Sequence, residues 1–239
     1  MNLTVDTTYR SELPEIMDDL DMKGEQLRET LDKISRLNRK LGGNRLTLQG
    51  VKELLRNVPV HKKIRILDVG CGNGDMLRDL ADLADSSGRN FSLVGIDANA
   101  DTIAYARKMS LHYPDISYER QNIFDSGFAT FDCDIIISTL TLHHFSDAEI
   151  MSLLTKFRHQ ASIGIVINDL HRSAIAYRLF QLVCRVFGLG AMPKNDGLIS
   201  ILRGFKKSEL RKYSHELNFE KYSIRWKWAF RYQWIISTT

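Results

Sequence analysis

The stretch ILDVGCGNGD, residues 66–75, restricts the fold more than any other part of the chain. An apolar run ends in Asp68 and Val69, and Gly70, Gly72 and Gly74 then follow at alternate positions. A simple turn needs one glycine. Three suit a backbone that takes positive φ and leaves no side chain between itself and a ligand. The run before them is short and continuously apolar, as a strand buried on both faces is. Asp75 to Asp85 then carries helical spacing.

The same unit recurs. Strands are predicted at Ile64–Val69, Phe91–Ile96, Ile116–Gln121, Asp134–Ser138 and Ile163–Ile167. Helices are predicted between them and after them, at Asn99–Leu111, Asp147–His159, Ser173–Phe187 and Lys206–Leu217. Short apolar strands alternating with helices predict an α/β domain, with a mostly parallel sheet covered by helices on both faces. Tyr222–Trp228 and Arg231–Ile236 break the alternation and predict an antiparallel hairpin at the sheet edge, joined by Ala229 and Phe230. Trp226, Trp228, Tyr232 and Trp234 are expected in the strand core.

Two helices precede this core. Residues 25–41 place Leu27, Leu31, Ile34, Leu37 and Leu41 on one face, and Thr47–Val58 predicts a second helix stopped by Pro59. The expected organisation is an N-terminal helical cap over 1–60 and one main domain over 61–239, with a lid-like insertion near 173–205. Residues 188–205 hold four glycines and a proline and read as a long connection.

Charge is uneven. Residues 1–32 hold nine acids and three bases, whereas residues 201–239 hold nine bases and three acids. The bases are interleaved with acids and strand residues rather than blocked, which favours mutual attraction of the two ends over a nucleic-acid face. Cys71, Cys133 and Cys184 form no C-x-x-C pair, so reduced thiols in a cytoplasmic protein are expected, with no metal site. The first residues lack the basic start and apolar core of a signal peptide, and no apolar run approaches the ~18 residues of a membrane span.

In a parallel sheet, ligands bind at the carboxyl ends of the strands. Asp68 lies at one such end and Asp97, in LVGIDAN, at another. An acid at the second position can bond both hydroxyls of a ribose. A dinucleotide fold also uses that acid, but it wants G-x-G-x-x-G for its pyrophosphate. Here the third glycine comes one residue early, and Asp68 and Asp75 flank the turn with negative charge. That charge opposes a pyrophosphate and suits a cation.

With these motifs in view, the chain resembles the class I S-adenosylmethionine-dependent methyltransferases. ILDVGCGNGD resembles their first motif, LVGIDAN their second, ERQNIFD (119–125) their third and FDCDIIISTLTLHHFSD (131–147) their fourth-strand segment. The resemblance covers about residues 60–170 by motif. It implies a Rossmann-like, seven-stranded sheet with an antiparallel last strand, and S-adenosyl-L-methionine as cofactor. It also implies that Asp68, Gly70, Cys71 and Gly72 hold the methionine part. Asp97 would bind the ribose, and Ala98, Asn122 and Ile123 would border the adenine. Thr139 would face the methyl group. Many members carry aspartate where Asn122 stands, and an amide oxygen can still accept from the adenine amine.

The acceptor side points to a small molecule. Enzymes of this family acting on base amines or glutamine amides resemble one another in an Asn/Asp-Pro-Pro-aromatic motif after the fourth strand. This chain has Ser138-Thr139-Leu140-Thr141 there, followed by His143 and His144. A hydroxyl acceptor must lose a proton, a task suited to histidine. Asp169, at the end of the fifth strand, can orient one of them. The expected reaction is methylation of a hydroxyl on a hydrophobic or aromatic molecule. Carbon methylation of a phenol or quinol ring, and a non-catalytic partner subunit, remain as alternatives.

Overall fold

The computed structural model describes residues 5–125, 131–186 and 190–238, and each of the five apolar runs between Ile64 and Ile167 is a strand in it. These are β1 (Ile64–Val69), β2 (Phe91–Asp97), β3 (Ile116–Arg120), β4 (Cys133–Thr139) and β5 (Ala161–Leu170). β6 (Lys221–Lys227) and β7 (Arg231–Ser237) complete one seven-stranded sheet in the order β3-β2-β1-β4-β5-β7-β6. β1 to β5 pair in parallel, and β7 runs antiparallel between β5 and β6. β6 is therefore the edge strand, and its outer residues meet solvent. Trp226 and Trp228 are 51% and 74% exposed, against the expectation of strand core, whereas Trp234 on β7 is fully buried.

Strand alternation divides the core into two layers. Leu67, Val69, Ile136, Ile165 and Ile167 point to one face, where Leu153, Leu154 and Phe157 of α5 (Asp147–Gln160) and Leu210 of α8 (Lys207–Glu216) meet them. Ile66, Ile135, Ile137 and Val166 point to the other, against α3 (Asp75–Ser87) and α4 (Ala100–Met109). Each such side chain contributes about 1.5–3 kcal/mol by leaving water.

Two helices lead into this sheet. α1 (Glu25–Lys40) passes through Gly42, at φ 75, directly into α2 (Gly43–Leu54). α2 thus begins and ends four residues earlier than its apolar spacing predicts. Its C-terminal side is held out of helix by Arg89, whose guanidinium donates to the carbonyls of Leu55 (3.1 Å) and Val58 (3.0 Å). α2 lies flat on the sheet. A Cβ on Gly50 would stand 2.5 Å from Val166 Cγ1, so only glycine allows this approach. Asn168 Nδ2 donates to the Gly43 carbonyl at 2.9 Å, and Gln233 Nε2 to that of Leu46 at 2.7 Å.

The stretch read as a long connection is mostly helix. α6 (Ala174–Val186) and α7 (Ala191–Arg203) form a helical pair between β5 and α8. Gly197 serves packing here rather than looseness, because a Cβ there would lie 2.5 Å from the Phe180 ring. Pro193 sits in the first turn of α7, where no helical N–H is lost. Phe187, the expected end of α6, lies outside the described residues.

Candidate active site

The carboxyl ends of β1, β2, β4 and β5 converge on one edge of the sheet. At β1 the glycine turn is built as its spacing requires, with Gly70, Gly72 and Gly74 at φ 74, 52 and 76. The amides of Gly70 and Cys71 donate to the Ile96 carbonyl at 2.9 and 3.1 Å, which ties the turn to β2. A Cβ on Gly72 would meet only Leu31 Cδ2, at 3.8 Å, so the turn leaves room above it. Cys71 is buried beneath, and burial first, then Asp97 and Asp68, push its thiol well up, away from reactivity.

Asp97 is held from both sides. Its carboxylate accepts from the Asn99 amide at 3.0 Å and from the Gly72 amide at 3.3 Å. Burial still raises its pKa, against those bonds. Asp68 is 2% exposed, and burial, reinforced by the Asp75 and Asp97 carboxylates, pushes it well up. Three carboxylates thus crowd one glycine turn, and a ligand carrying positive charge relieves that crowding. The amino and sulfonium groups of S-adenosylmethionine fit this demand. Ala98 is half-buried beside Asp97, Asn122 is half-buried and Ile123 is buried. The Asn122 Oδ1 accepts from the Phe124 amide at 3.0 Å, and the Ile123 carbonyl accepts from Lys156 Nζ at 3.0 Å. Thr139 ends β4, its hydroxyl 2.9 Å from that of Thr47 on α2.

His143 and His144 occupy a 3-10 turn, Leu142–His144, just after β4. Their rings lie side by side with centroids 4.3 Å apart, yet each has its own carboxylate. His143 is 3% exposed, and its Nδ1 is 2.7 Å from Asp169 Oδ1. His144 retains 25% side-chain exposure, and its Nδ1 is 2.6 Å from Asp18 Oδ1. Burial alone would raise Asp169, but the charge and hydrogen bond of His143 outweigh it and lower the carboxyl. Burial likewise opposes ionisation of Asp18, and the bond from His144 leads the interactions that pull it well below the carboxylate range. Asp169 does not cap α6; besides His143 it accepts from the Leu170 amide at 2.7 Å.

Four residues of this site come from places that motif reading passes over. Glu15 caps and Asp18 ends a 3-10 turn, Ile16–Asp18, in the N-terminal segment. Arg203, at the end of α7, donates to Asp18 Oδ2 at 2.6 Å and to the carbonyls of His143 (3.1 Å) and His144. Arg10 donates to the carbonyls of His143 (3.0 Å) and Phe145 (2.8 Å). The only sequence signal was the opposition of an acidic start and a basic end, part of which the Asp18–Arg203 pair now accounts for.

Glu15 is buried, with Oε1 3.6 Å from His143 Nε2 and 3.9 Å from His144 Nδ1. Glu15, His143 and His144 offer three ligand atoms within 4.8 Å of one another, a spacing that could gather a metal ion. Two contacts oppose it. The Arg203 guanidinium stands 4.0 Å from the same Glu15 oxygen, and His144 Nδ1 is already engaged by Asp18. A fixed cation beside the ligands disfavours a dication.

Comparison with known proteins agrees with this architecture. Residues 66–164 match the family described as "Methyltransferase domain". A Geobacillus sp. (strain WCH70) protein named as a methyltransferase is 27% identical over 120 residues, 49% of this chain and 46% of its own length. The chain therefore aligns with about half of that relative. The ubiquinone biosynthesis O-methyltransferase of Rickettsia typhi is 27% identical over 179 residues, 71% of this chain and 67% of the relative. Among solved structures, the plantazolicin methyltransferase BamL, crystallised with S-adenosylhomocysteine, superposes with a TM-score of 0.66 at 15% identity, covering 88% of this chain and 91% of BamL. Sheet order, glycine turn and the family match over residues 66–164 converge on the fold of the class I S-adenosylmethionine-dependent methyltransferases.

Proposed function

We propose that this protein methylates a hydroxyl group on a hydrophobic or aromatic small molecule, using His144 as general base. The observation that carries this reading is the pair of histidines at the end of β4, each bonded through Nδ1 to a carboxylate, with only His144 reaching solvent. A carboxylate on Nδ1 leaves Nε2 as the proton acceptor. The acceptor O–H breaks as its oxygen becomes nucleophilic, and its proton passes to His144 Nε2. His143 and Asp169 form the buried support behind it. S-adenosylmethionine, when bound, supplies a methyl group already activated by its sulfonium. Asp68, Gly70, Cys71 and Gly72 hold its methionine part, Asp97 its ribose, Ala98, Asn122 and Ile123 its adenine, and Thr139 faces the methyl.

Among the described residues no helix is long and apolar enough to cross a membrane. The three cysteines are buried thiols, which suits a cytoplasmic setting. No nucleic-acid partner is invoked, since the C-terminal bases are spread over α8, β6 and β7 rather than gathered into one stripe. The test begins with calorimetric titration by S-adenosylhomocysteine, for which micromolar binding at one site per chain is expected. Phenolic and quinol acceptors are then screened with labelled donor, and the position of the label on oxygen or carbon decides the reaction type. Absence of binding by a folded sample removes the reading.

A further inference from the structure

Residues 7–24 cross the site as a strap. At one end, Arg172 Nε donates to the Thr7 carbonyl at 3.0 Å. At the other, Asn99 Nδ2 donates to the carbonyls of Leu20 (2.9 Å) and Met22 (2.8 Å), two residues beyond Asp97. In the middle, Asp196 accepts from the amides of Ile16 (3.0 Å) and Met17 (3.2 Å), and Glu15 Oε2 accepts from Ser200 at 2.7 Å. The strap thus runs from the acceptor side of the site to the ribose side.

It is fastened almost wholly by polar contacts. Leu13, Ile16 and Leu20 all face solvent, so little apolar burial holds it. Glu15 Oε1 is buried without a hydrogen-bond partner, a standing cost of the closed position. Few buried apolar contacts and a buried oxygen without a hydrogen bond place a segment at the low-stability end of a fold. Loops with that character open and close over active sites.

We propose that Asp18 is the positioning residue for His144 and reaches it only while the strap is closed. Arg203 fixes one Asp18 oxygen at 2.6 Å and His144 Nδ1 meets the other at 2.6 Å, so the arginine aims the carboxylate and the carboxylate aims the imidazole. This bond holds the proton on Nδ1 and turns Nε2 into the acceptor. Lifting the strap withdraws the carboxylate. The base is therefore ready only when the cofactor edge is covered, and cofactor exchange takes place while it is not. The inference rests on His144 being the base of the proposed reaction.

The test is nitrogen-15 histidine NMR on the full chain without cofactor, with amide hydrogen exchange on the same samples. Wild type should show His144 protonated on Nδ1. Asp18→Ala should lose that signature, and Asp18→Asn should keep it, because an amide oxygen still accepts. Asn99→Asp does not touch His144. It keeps the oxygen that caps α4 through the Thr102 amide at 2.9 Å but loses both donors to the strap. It should lower the Nδ1-protonated fraction of His144 and speed exchange of the Ile16 and Met17 amides at least tenfold. In wild type, S-adenosylhomocysteine should slow that exchange. An unaltered tautomer in Asp18→Ala, or wild-type exchange and tautomer in Asn99→Asp, overturns the proposal. Loss of the signature in Asp18→Ala without any binding of S-adenosylhomocysteine upholds Asp18 and removes the cofactor reading instead.

Discussion

The two halves of the active site are built in opposite ways. The glycine-turn half is made from consecutive residues: Asp68 to Asp75 at one strand end, and Asp97 to Asn99 at the next. Its geometry follows from local backbone needs, because only glycine takes φ of 52–76 without strain. The histidine half is assembled from residues far apart in the chain. His144 and Asp18 are 126 positions apart, and Arg203 and Asp18 are 185 apart. The first half is a motif and the second is a meeting point. The glycine turn can therefore stay constant while the histidine half is rebuilt by changing remote segments.

Substitutions can break or sharpen this contrast. The largest effect is expected from Asp97→Ala. On the proposed ribose role it would remove two charge-assisted hydrogen bonds, worth roughly 1.5–3 kcal/mol each, so S-adenosylhomocysteine affinity should fall about 10³-fold by calorimetry. Unchanged affinity would show that the glycine-turn half does not hold the cofactor as assigned.

Next comes Asp169→Ala, which leaves buried His143 without its carboxylate. A loss of about 3 kcal/mol in urea unfolding is expected, since breaking a buried pair strands its partner. The pH dependence of the wild type has a defined sign. Asp169 and Asp18 are both lowered in the fold, so their contribution is present above the ordinary carboxylate value, ~3.9, and is lost as pH falls through the folded values. The urea midpoint should start to drop below about pH 5 and keep falling below about pH 3, and this drop should shrink in Asp169→Ala.

His144→Ala should lower turnover about 10²-fold with cofactor affinity changed less than about twofold, confining the damage to the histidine half. Normal turnover would move the base to His143, His171 or none. The smallest effect expected is that of Gly50→Ala. Its new methyl would press on Val166, costing about 1–3 kcal/mol and lowering Tm by roughly 2–12 °C in a scan, with both ligand halves intact.

How far the sequence could be read follows from the same contrast. β1, β2, β4 and β5 were legible because strands buried on both faces are largely apolar, β3 from its place in the alternation, and the glycine turn because its conformation excludes other residues. α7 was not, because Gly197 and Pro193 resemble loop residues until the Phe180 ring and the helix start explain them. Nor was the exposure of Trp226 and Trp228, because an aromatic-rich strand reads the same at an edge as in the centre. Glu15, Asp18 and Arg203 were invisible as a group. No local pattern marks charged residues whose partners lie more than a hundred positions away.

The flat docking of α2, and of the strap before it, has a consequence for biosynthesis. Residues 7–54 leave the ribosome before Val166, Asn168, Asp196, Arg203 and Gln233, the residues they dock on. The strap and α2 must wait for β5, α7 and β7. Until those emerge, Leu27, Leu31 and Val51 lack their full cover and the histidine half of the site stays unassembled.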